Sequence, residues 1–508
     1  MHNDSKSLSF FSDSQLQQPL NHGMIFHNLG AWTVFTVDWD VDPYLEKLFD
    51  ASTALKTSRF DWKAPITPGS SSQGVEQFIA LGCQHTLKAT GEKRFNELAL
   101  AERSLRKNTH VIDKRINSTH PLPLLVGGAA FHQFNIDPAW NEFGSSQFIL
   151  PHLIIGKDVS GSGYLRITEP KNQGDDWVHR LQQNETSSDD FYSMIRERLD
   201  DLLMEYTEYV VETPTDVSRF VHSKPLGQRI KESATQHKEQ WLSRFGHVID
   251  SLHRSSLKKV VVARQASVDG VSKQERIHLQ RSLQERYQNC IHFTVEPSID
   301  SGFFGATPER LLRLEGETLH IDALAGSRSR GKTQDEDKAL ASELLQSEKD
   351  AEEHDIVKRQ ILEVLDPYSK QFRYPSSPFL KTLPNVQHLH TPIEAELEHR
   401  PSVFELIEQL HPTPAVGGYP KREALEVIEQ LEPQNRGWYA GIVGWVSEQG
   451  DADIAVSIRS ASHMRNKLTL YAGCGLVEAS IPEQEWDETY VKMTPFIEAA
   501  QDLSPVES

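Results

Sequence analysis

The sequence predicts an α/β-class chain, α+β in arrangement, with antiparallel neighbours along much of its strand content. Three observations predict it. Gly302 to Gly331 reads as strand, turn, strand and glycine loop. Gly441 to Gly475 reads as a meander, with turns at Gln449-Gly450-Asp451 and Arg465-Asn466. Around them stand segments of helical spacing over 225–252, 335–365 and from 480 onward.

A chain of 508 residues favours two or three modules on length alone. Its 38% hydrophobic content suffices for a core. The formal net charge of −19 argues against nucleic acid and anionic membrane surfaces, which both call for a basic patch. An anionic substrate would therefore have to be caught by local charge. Cys83, Cys290 and Cys474 are far apart and form no CxxC, so neither a disulfide framework nor a zinc site is expected, and a reducing cytoplasm fits. The N-terminus lacks a basic start followed by an apolar core, so no signal peptide is read. The most apolar stretches, at Leu122 and Phe148, are too short to span a bilayer. A soluble, cytoplasmic protein is expected.

Taken in order, residues 1–22 are polar and expected to be loosely held. Leu124 to Phe131 reads as a buried strand ending in a turn at Gly127-Gly128, which lacks the spacing of a phosphate loop. Phe148–Ile155 and Tyr164–Ile167 read as strands, and 170–190 as a linker or long surface loop. Pro225 to Leu252 reads as helix. Three consecutive valines after Lys259 favour a buried strand. Lys259 opens it, and spacing leaves two readings: a solvated flank, or a cleft lysine whose pKa is lowered by desolvation until it can act as a base.

In Gly302–Gly331, Glu309 stands where a strand begins, as a candidate acid, and Gly326 lies in the closing loop as a close-approach point for an anion. Asp335 to Leu365 reads as one long helix with an acidic middle. That middle is either a solvated face or a source of carboxylate ligands for a hard cation such as Mg2+. His388 and His390 would share one face of a strand. His411 to Pro420, with three prolines and a Gly-Gly pair, must be a defined loop. Ile454 to Arg459 alternates, which puts Arg459 opposite Ile454, Val456 and Ile458. Ser480 with Glu483 reads as a capping box. Glu485, Glu488 and Lys492 then share a helix face, and Pro495 kinks or restarts the helix.

The ordered set KVVVAR, GATPERLL, LAGSRSRG, SEKDAEEHD, HPTPAVGGYP, GIVGWV, SIRSA, YAGCGLV and EQEWDET-VK closely resembles the chorismate-utilising enzymes, and within them the isochorismate synthases. The resemblance spans about Lys259 to Lys492 and is looser before it. It implies a fold like that of anthranilate and aminodeoxychorismate synthases: two large, mainly antiparallel sheets packed face to face with outer helices. It implies one integrated unit, with a flexible segment 1–22, an N-terminal part 23–225 and a catalytic part 226–503. The implied substrate is chorismate, the implied cofactor Mg2+, and the expected state a monomer or weak dimer.

The resemblance also implies roles. Lys259 matches the water-activating base and Glu309 the general acid, with burial expected to shift both pKa values in the required directions. Glu353 and Glu488 match direct Mg2+ ligands, and Glu485 one acting through water. Arg459 matches the grip on the enolpyruvyl carboxylate, with Tyr439 beside it and Gly473 offering a backbone N–H. Gly326, His388 and Lys492 match substrate contacts, and Ala415 and Ile458 the walls. Lys259 together with Ala325 points to water as nucleophile, since amine-forming relatives differ at these positions. The Gly437–Gly441 run and the Gly417–Pro420 loop look most like menaquinone-pathway enzymes of Bacillus type. A salicylate synthase and a siderophore-pathway isochorismate synthase are the alternatives, and a chorismate-binding protein without turnover is the non-enzyme reading.

Overall fold

The computed structural model describes residues 32–502, apart from 43–44, 46–47, 49–52, 56, 66–74, 116–119, 133–136, 171–187, 210–223, 383–385 and 433. The expectations for 1–22 and for most of 170–190 lie outside the described residues. Residues 188–190 open the helix Ser188–Tyr206.

Most described strands fall into a twelve-stranded and a ten-stranded sheet. Within both, paired strands run antiparallel except Trp32–Asp38 beside Thr109–Asp113. Each sheet is built from both halves of the chain. In the larger, Arg59–Lys63 pairs with Ile291–Ser298; in the smaller, Pro123–Ala129 pairs with Ile442–Ser447.

The sheets pack face to face over one apolar core. It unites Phe60, Trp62 and Phe78 of the larger sheet with Val126, Leu312, Val443 and Ile454 of the smaller. Successive side chains on a strand point to opposite faces. So Phe78 and Ala80 enter this core, while Ile79 and Leu81 meet Ile195, Leu199 and Leu202 of the outer helix Ser188–Tyr206. Burial on both faces explains why such strands read as continuous apolar runs. No described helix is long and apolar enough to cross a membrane.

Two segments cross between the sheets side by side. One leads from Ser301–Thr307 in the larger sheet to Arg310–Glu315 in the smaller, and Glu309 lies on it. The other returns from Ala452–Val456 to Ser460–Met464, and Arg459 lies on it. They are stitched together. The Val456 N–H donates to the Glu309 carbonyl at 3.0 Å, and the Ala306 N–H to the Arg459 carbonyl at 3.1 Å. The Thr307 hydroxyl donates to the Val456 carbonyl at 2.6 Å. A Cβ at Gly305 would stand 2.7 Å from the Arg459 carbonyl oxygen, so a bare backbone permits this approach.

Several sequence expectations need correction. Gly127-Gly128 is no turn but the interior of the strand Pro123–Ala129, where added Cβ atoms would meet the Gln147 and Ile442 carbonyls at 2.1 and 2.2 Å. Ala325 to Arg328 is not a closing loop. It belongs to the strand Thr318–Ser329, with a bulge at Gly326, whose φ is 73°. Phe148–Ile155 divides at Pro151 into two strands, one in each sheet. The helix expected over 225–252 breaks around His237, where φ is 64°. The helix expected over 335–365 breaks at Ser347, whose side chain caps Glu348–Leu365 by accepting from the Asp350 N–H. The strand expected to reach Arg459 ends at Val456, because the chain leaves the sheet there; Arg459 has φ 49°. Ser480 is not the cap of the last helix, Pro482–Ala499. Its hydroxyl accepts from the Val477 N–H, and the helix runs through Pro495.

Candidate active site

A cleft, about 930 Å3 counting the space open to solvent, opens where the crossings meet the end of the larger sheet and the helices Glu348–Leu365 and Pro482–Ala499. Of the residues expected in the site, it brings together Lys259, Glu309, Gly326, Glu353, His388, Ala415, Tyr439, Ile458, Arg459, Gly473, Glu488 and Lys492. Glu485 is not on its lining.

Lys259 begins the strand Lys259–Asp269, which places its side chain at the rim of the larger sheet. The residue is 4% exposed, so the solvated-flank reading fails. Its Nζ lies 2.5 Å from Glu353 Oε1. Facing it is Gly475, where a Cβ would stand 2.8 Å from Lys259 Cε and 3.4 Å from Nζ.

Glu309 sits on the first crossing, its N–H donating to the Thr307 hydroxyl at 3.2 Å. Burial pushes its carboxyl up to about 7, against the pull of the Lys259, Lys381 and Lys492 charges. A carboxyl so placed holds a proton near neutrality, which an acid catalyst needs.

A cationic end lies beyond it. Burial disfavours the charged form of the Arg459 guanidinium and moves its pKa downward. Lys492 donates to Glu488 Oε1 at 2.6 Å and to the Gly473 carbonyl at 2.8 Å. Burial works against the Lys492 charge, but Glu488 outweighs it and the net shift is upward. At Gly473 this contact occupies the carbonyl, while the N–H is the group expected to face the substrate. Its missing Cβ also leaves room for Tyr439 Oη, which would stand at 3.2 Å. Tyr439 stacks on Tyr471 with centroids 5.2 Å apart.

Gly326 and His388 form the wall from the smaller sheet. A Cβ on Gly326 would press on Asp350 at 3.1 Å. Burial, reinforced by Arg459 and Lys492, lowers the His388 pKa to about 3, so the ring is neutral, with Nδ1 2.8 Å from the Ser327 hydroxyl. Ala415 comes from the proline-rich loop, and Ile458 from the second crossing beside Arg459.

The donor set suits a hard divalent ion. Glu353 and Glu488 reach the cleft from two helices, and Glu485 lies about one turn before Glu488. Burial raises the Glu485 pKa, and the charge of Glu488 raises it further, a crowding of like charge that a cation would relieve. Among the described residues no three His, Cys, Asp or Glu side chains converge as a ready-made cage. Mg2+ does not require one, since it commonly takes one or two carboxylates with water and substrate oxygens.

Sequence reasoning missed Lys381, Gly475, Arg436 and Tyr471, which also line the cleft. Arg436 is 1% exposed and donates to the Val416 and Val261 carbonyls at 2.8 and 2.7 Å, tying the proline-rich loop to the Lys259 strand. Gly475 was visible as the second glycine of Gly473-Cys474-Gly475. Lys381 carried no local signal.

The two-sheet fold gathers a buried carboxyl, a lysine and a cationic end on one cleft, and comparison with known proteins gives the chain a family. A model described as chorismate binding enzyme matches residues 33–501, and the chain belongs to this family. The chain is 31% identical to the isochorismate synthase MenF of Bacillus subtilis over 382 residues, covering 74% of this chain and 75% of that protein. It is 37% identical to the salicylate biosynthesis isochorismate synthase of Pseudomonas aeruginosa over 277 residues, covering 54% and 58%. Among solved structures, the menaquinone-specific isochorismate synthase MenF of Escherichia coli shares the fold, with TM-score 0.69 at 22% identity over 93% of this chain and 95% of that one.

Proposed function

We propose that this protein is an Mg2+-dependent isochorismate synthase that converts chorismate to isochorismate, adding water at C2 and expelling the C4 hydroxyl, for menaquinone synthesis. The observation that carries the reading is the placement of Lys259 and Glu309. Lys259 reaches the cleft from the start of a larger-sheet strand and Glu309 from the first crossing, so a ring bound there would have a base and an acid within one cleft. Lys259, once it has parted from Glu353 and given up its own proton, takes a proton from water as the free amine. Glu309 gives its proton to the departing hydroxyl, leaving as water. Proton transfers balance, and one water enters as one leaves. Arg459 holds the enolpyruvyl carboxylate through its fork of N–H donors, with Tyr439 alongside. Glu353 and Glu488, with Glu485 acting through water, would hold Mg2+, which would supply charge to anchor the ring carboxylate. That local charge answers the −19 of the whole chain. The menaquinone assignment rests on the Gly437–Gly441 run and the Gly417–Pro420 loop.

The test is product chromatography after incubation with chorismate and Mg2+. Isochorismate alone is expected. Salicylate with pyruvate would make the protein a salicylate synthase, and no product would refute the enzyme reading.

A further inference from the structure

Lys381 belongs to a short strand, Phe379–Thr382, that pairs with Val386–Leu397 outside the main strand order of the smaller sheet. This places its side chain on the cleft beside Glu309. Its Nζ lies 3.2 Å from Asp322 Oδ2 and 3.4 Å from the Pro308 carbonyl oxygen. The other oxygen of Asp322 lies 2.7 Å from His390 Nε2. Burial alone would raise the Asp322 pKa. His390 and Lys381 overcome that and hold it well below the usual carboxylate range, so it stays an anion. The Phe379 ring packs edge-on against His390 at 4.9 Å and covers the cluster from outside.

An isolated Lys–Asp pair on a sheet would be ordinary surface chemistry. This one differs in three respects. It faces the cleft. Its lysine reaches the carbonyl of the residue just before Glu309. And its two charges act on the Glu309 carboxyl in opposite directions, Lys381 favouring the anion and Asp322 the acid. The other charged or titratable groups lining the cleft with Glu309 are Lys259, Lys492, Arg459, Arg436, Glu353, Glu488, His388, Tyr439 and Tyr471, and Arg310 lines the neighbouring pocket with it.

We propose that Lys381, Asp322 and His390 form a positioning cluster for Glu309, fixing the Pro308–Glu309 corner and balancing the charge around its carboxyl. The proposal rests on the reading of Glu309 as the acid. Lys381 is a positioning residue, because it acts through Glu309. Its ammonium offsets some of the desolvation that favours the protonated carboxyl. Asp322 keeps Lys381 from offsetting it too far, and His390 holds Asp322 in place.

The test is kcat/KM for chorismate against pH in the Mg2+-loaded full chain, for the wild type, Lys381→Met, Asp322→Asn, Lys381→Arg and Glu309→Gln. Removing the Lys381 cation makes Glu309 a weaker acid, so the alkaline limb should move to higher pH. Removing the Asp322 anion leaves Lys381 unbalanced, so the limb should move to lower pH. Shifts of roughly half a pH unit or more, opposite in sign, are expected. Lys381→Arg should restore the wild-type limb. A loss of folding alone would not move the two limbs apart, and thermal unfolding of each variant identifies it. If Lys381→Met does not fold, the downward shift in Asp322→Asn carries the test. The proposal is overturned if Glu309→Gln abolishes turnover while both variants keep the wild-type limb or move it the same way. Near-normal turnover in Glu309→Gln would instead overturn the acid assignment itself.

Discussion

Gly475 faces Lys259, the proposed base, and replacing it with alanine gives a quantitative test of how closely that lysine must be placed. The new Cβ would stand 2.8 Å from Lys259 Cε, 3.4 Å from Nζ and 3.9 Å from Glu353 Oε1. Carbon atoms rest at about 3.5–4.0 Å, so the lysine tip must retreat by roughly 0.7 Å or more. The obstructing atoms are the far end of a flexible side chain, so the fold should yield at the low end of overpacking costs, about 1 kcal/mol. Catalysis should suffer more. A displacement of about 1 Å can cost ~100-fold in rate, equivalent to about 2.7 kcal/mol of barrier. The assay is steady-state isochorismate formation at saturating Mg2+, paired with thermal unfolding. We expect kcat to fall by about 30- to 100-fold with Tm lowered by at most a few degrees. A kcat within about threefold of wild type in a folded variant would refute the positional argument, and so would equal losses of activity and folded protein.

Glu309→Gln should cut kcat by about 100- to 10,000-fold while leaving the protein folded. Because burial holds the Glu309 carboxyl up to about 7, the acid form should predominate below that pH, and kcat/KM should decline above it as the proton is lost. An alkaline limb retained in a Glu309 variant would contradict this. Glu488→Gln should raise the Mg2+ concentration for half-activation by about tenfold or more, measured by Mg2+ titration; an unchanged midpoint counts against the ligand role. Arg459→Lys should raise KM for chorismate by about 10- to 100-fold through loss of the two-pronged grip, and an unchanged KM would remove Arg459 from substrate binding.

The principal side chains of the candidate site were legible because each sits in a short motif and the ordered set of motifs carries the family resemblance; spacing alone left Lys259 undecided. Lys259 precedes three valines, Glu309 follows a Thr-Pro pair, and Glu488 and Lys492 share a helix face. Their partners were less legible. The Lys259–Glu353 pair joins residues 94 positions apart, and no local pattern encodes it. Lys381 enters the cleft only because a four-residue strand folds back on Val386–Leu397, a long-range pairing. Alternation carried the meander well but failed at Ser457, where the strand leaves its sheet and the period no longer applies. The break at Ser347 lost to helical periodicity that continued across it, although a serine three residues before Asp350 is a sound start signal. Gly127-Gly128 misled because glycine serves close backbone approach inside a sheet as readily as it serves turns.

The stitched crossings bear on how the gene can vary. The two links share backbone hydrogen bonds, so their lengths are interlocked. A codon inserted in either one slips the other's register and displaces Glu309 and Arg459 together. Insertions at hairpin tips such as Glu315-Gly316 or Gln449-Gly450 disturb neither link. Length changes in descendants of this sequence should therefore accumulate at the tips and be purged from the crossings, whatever residues come to occupy them.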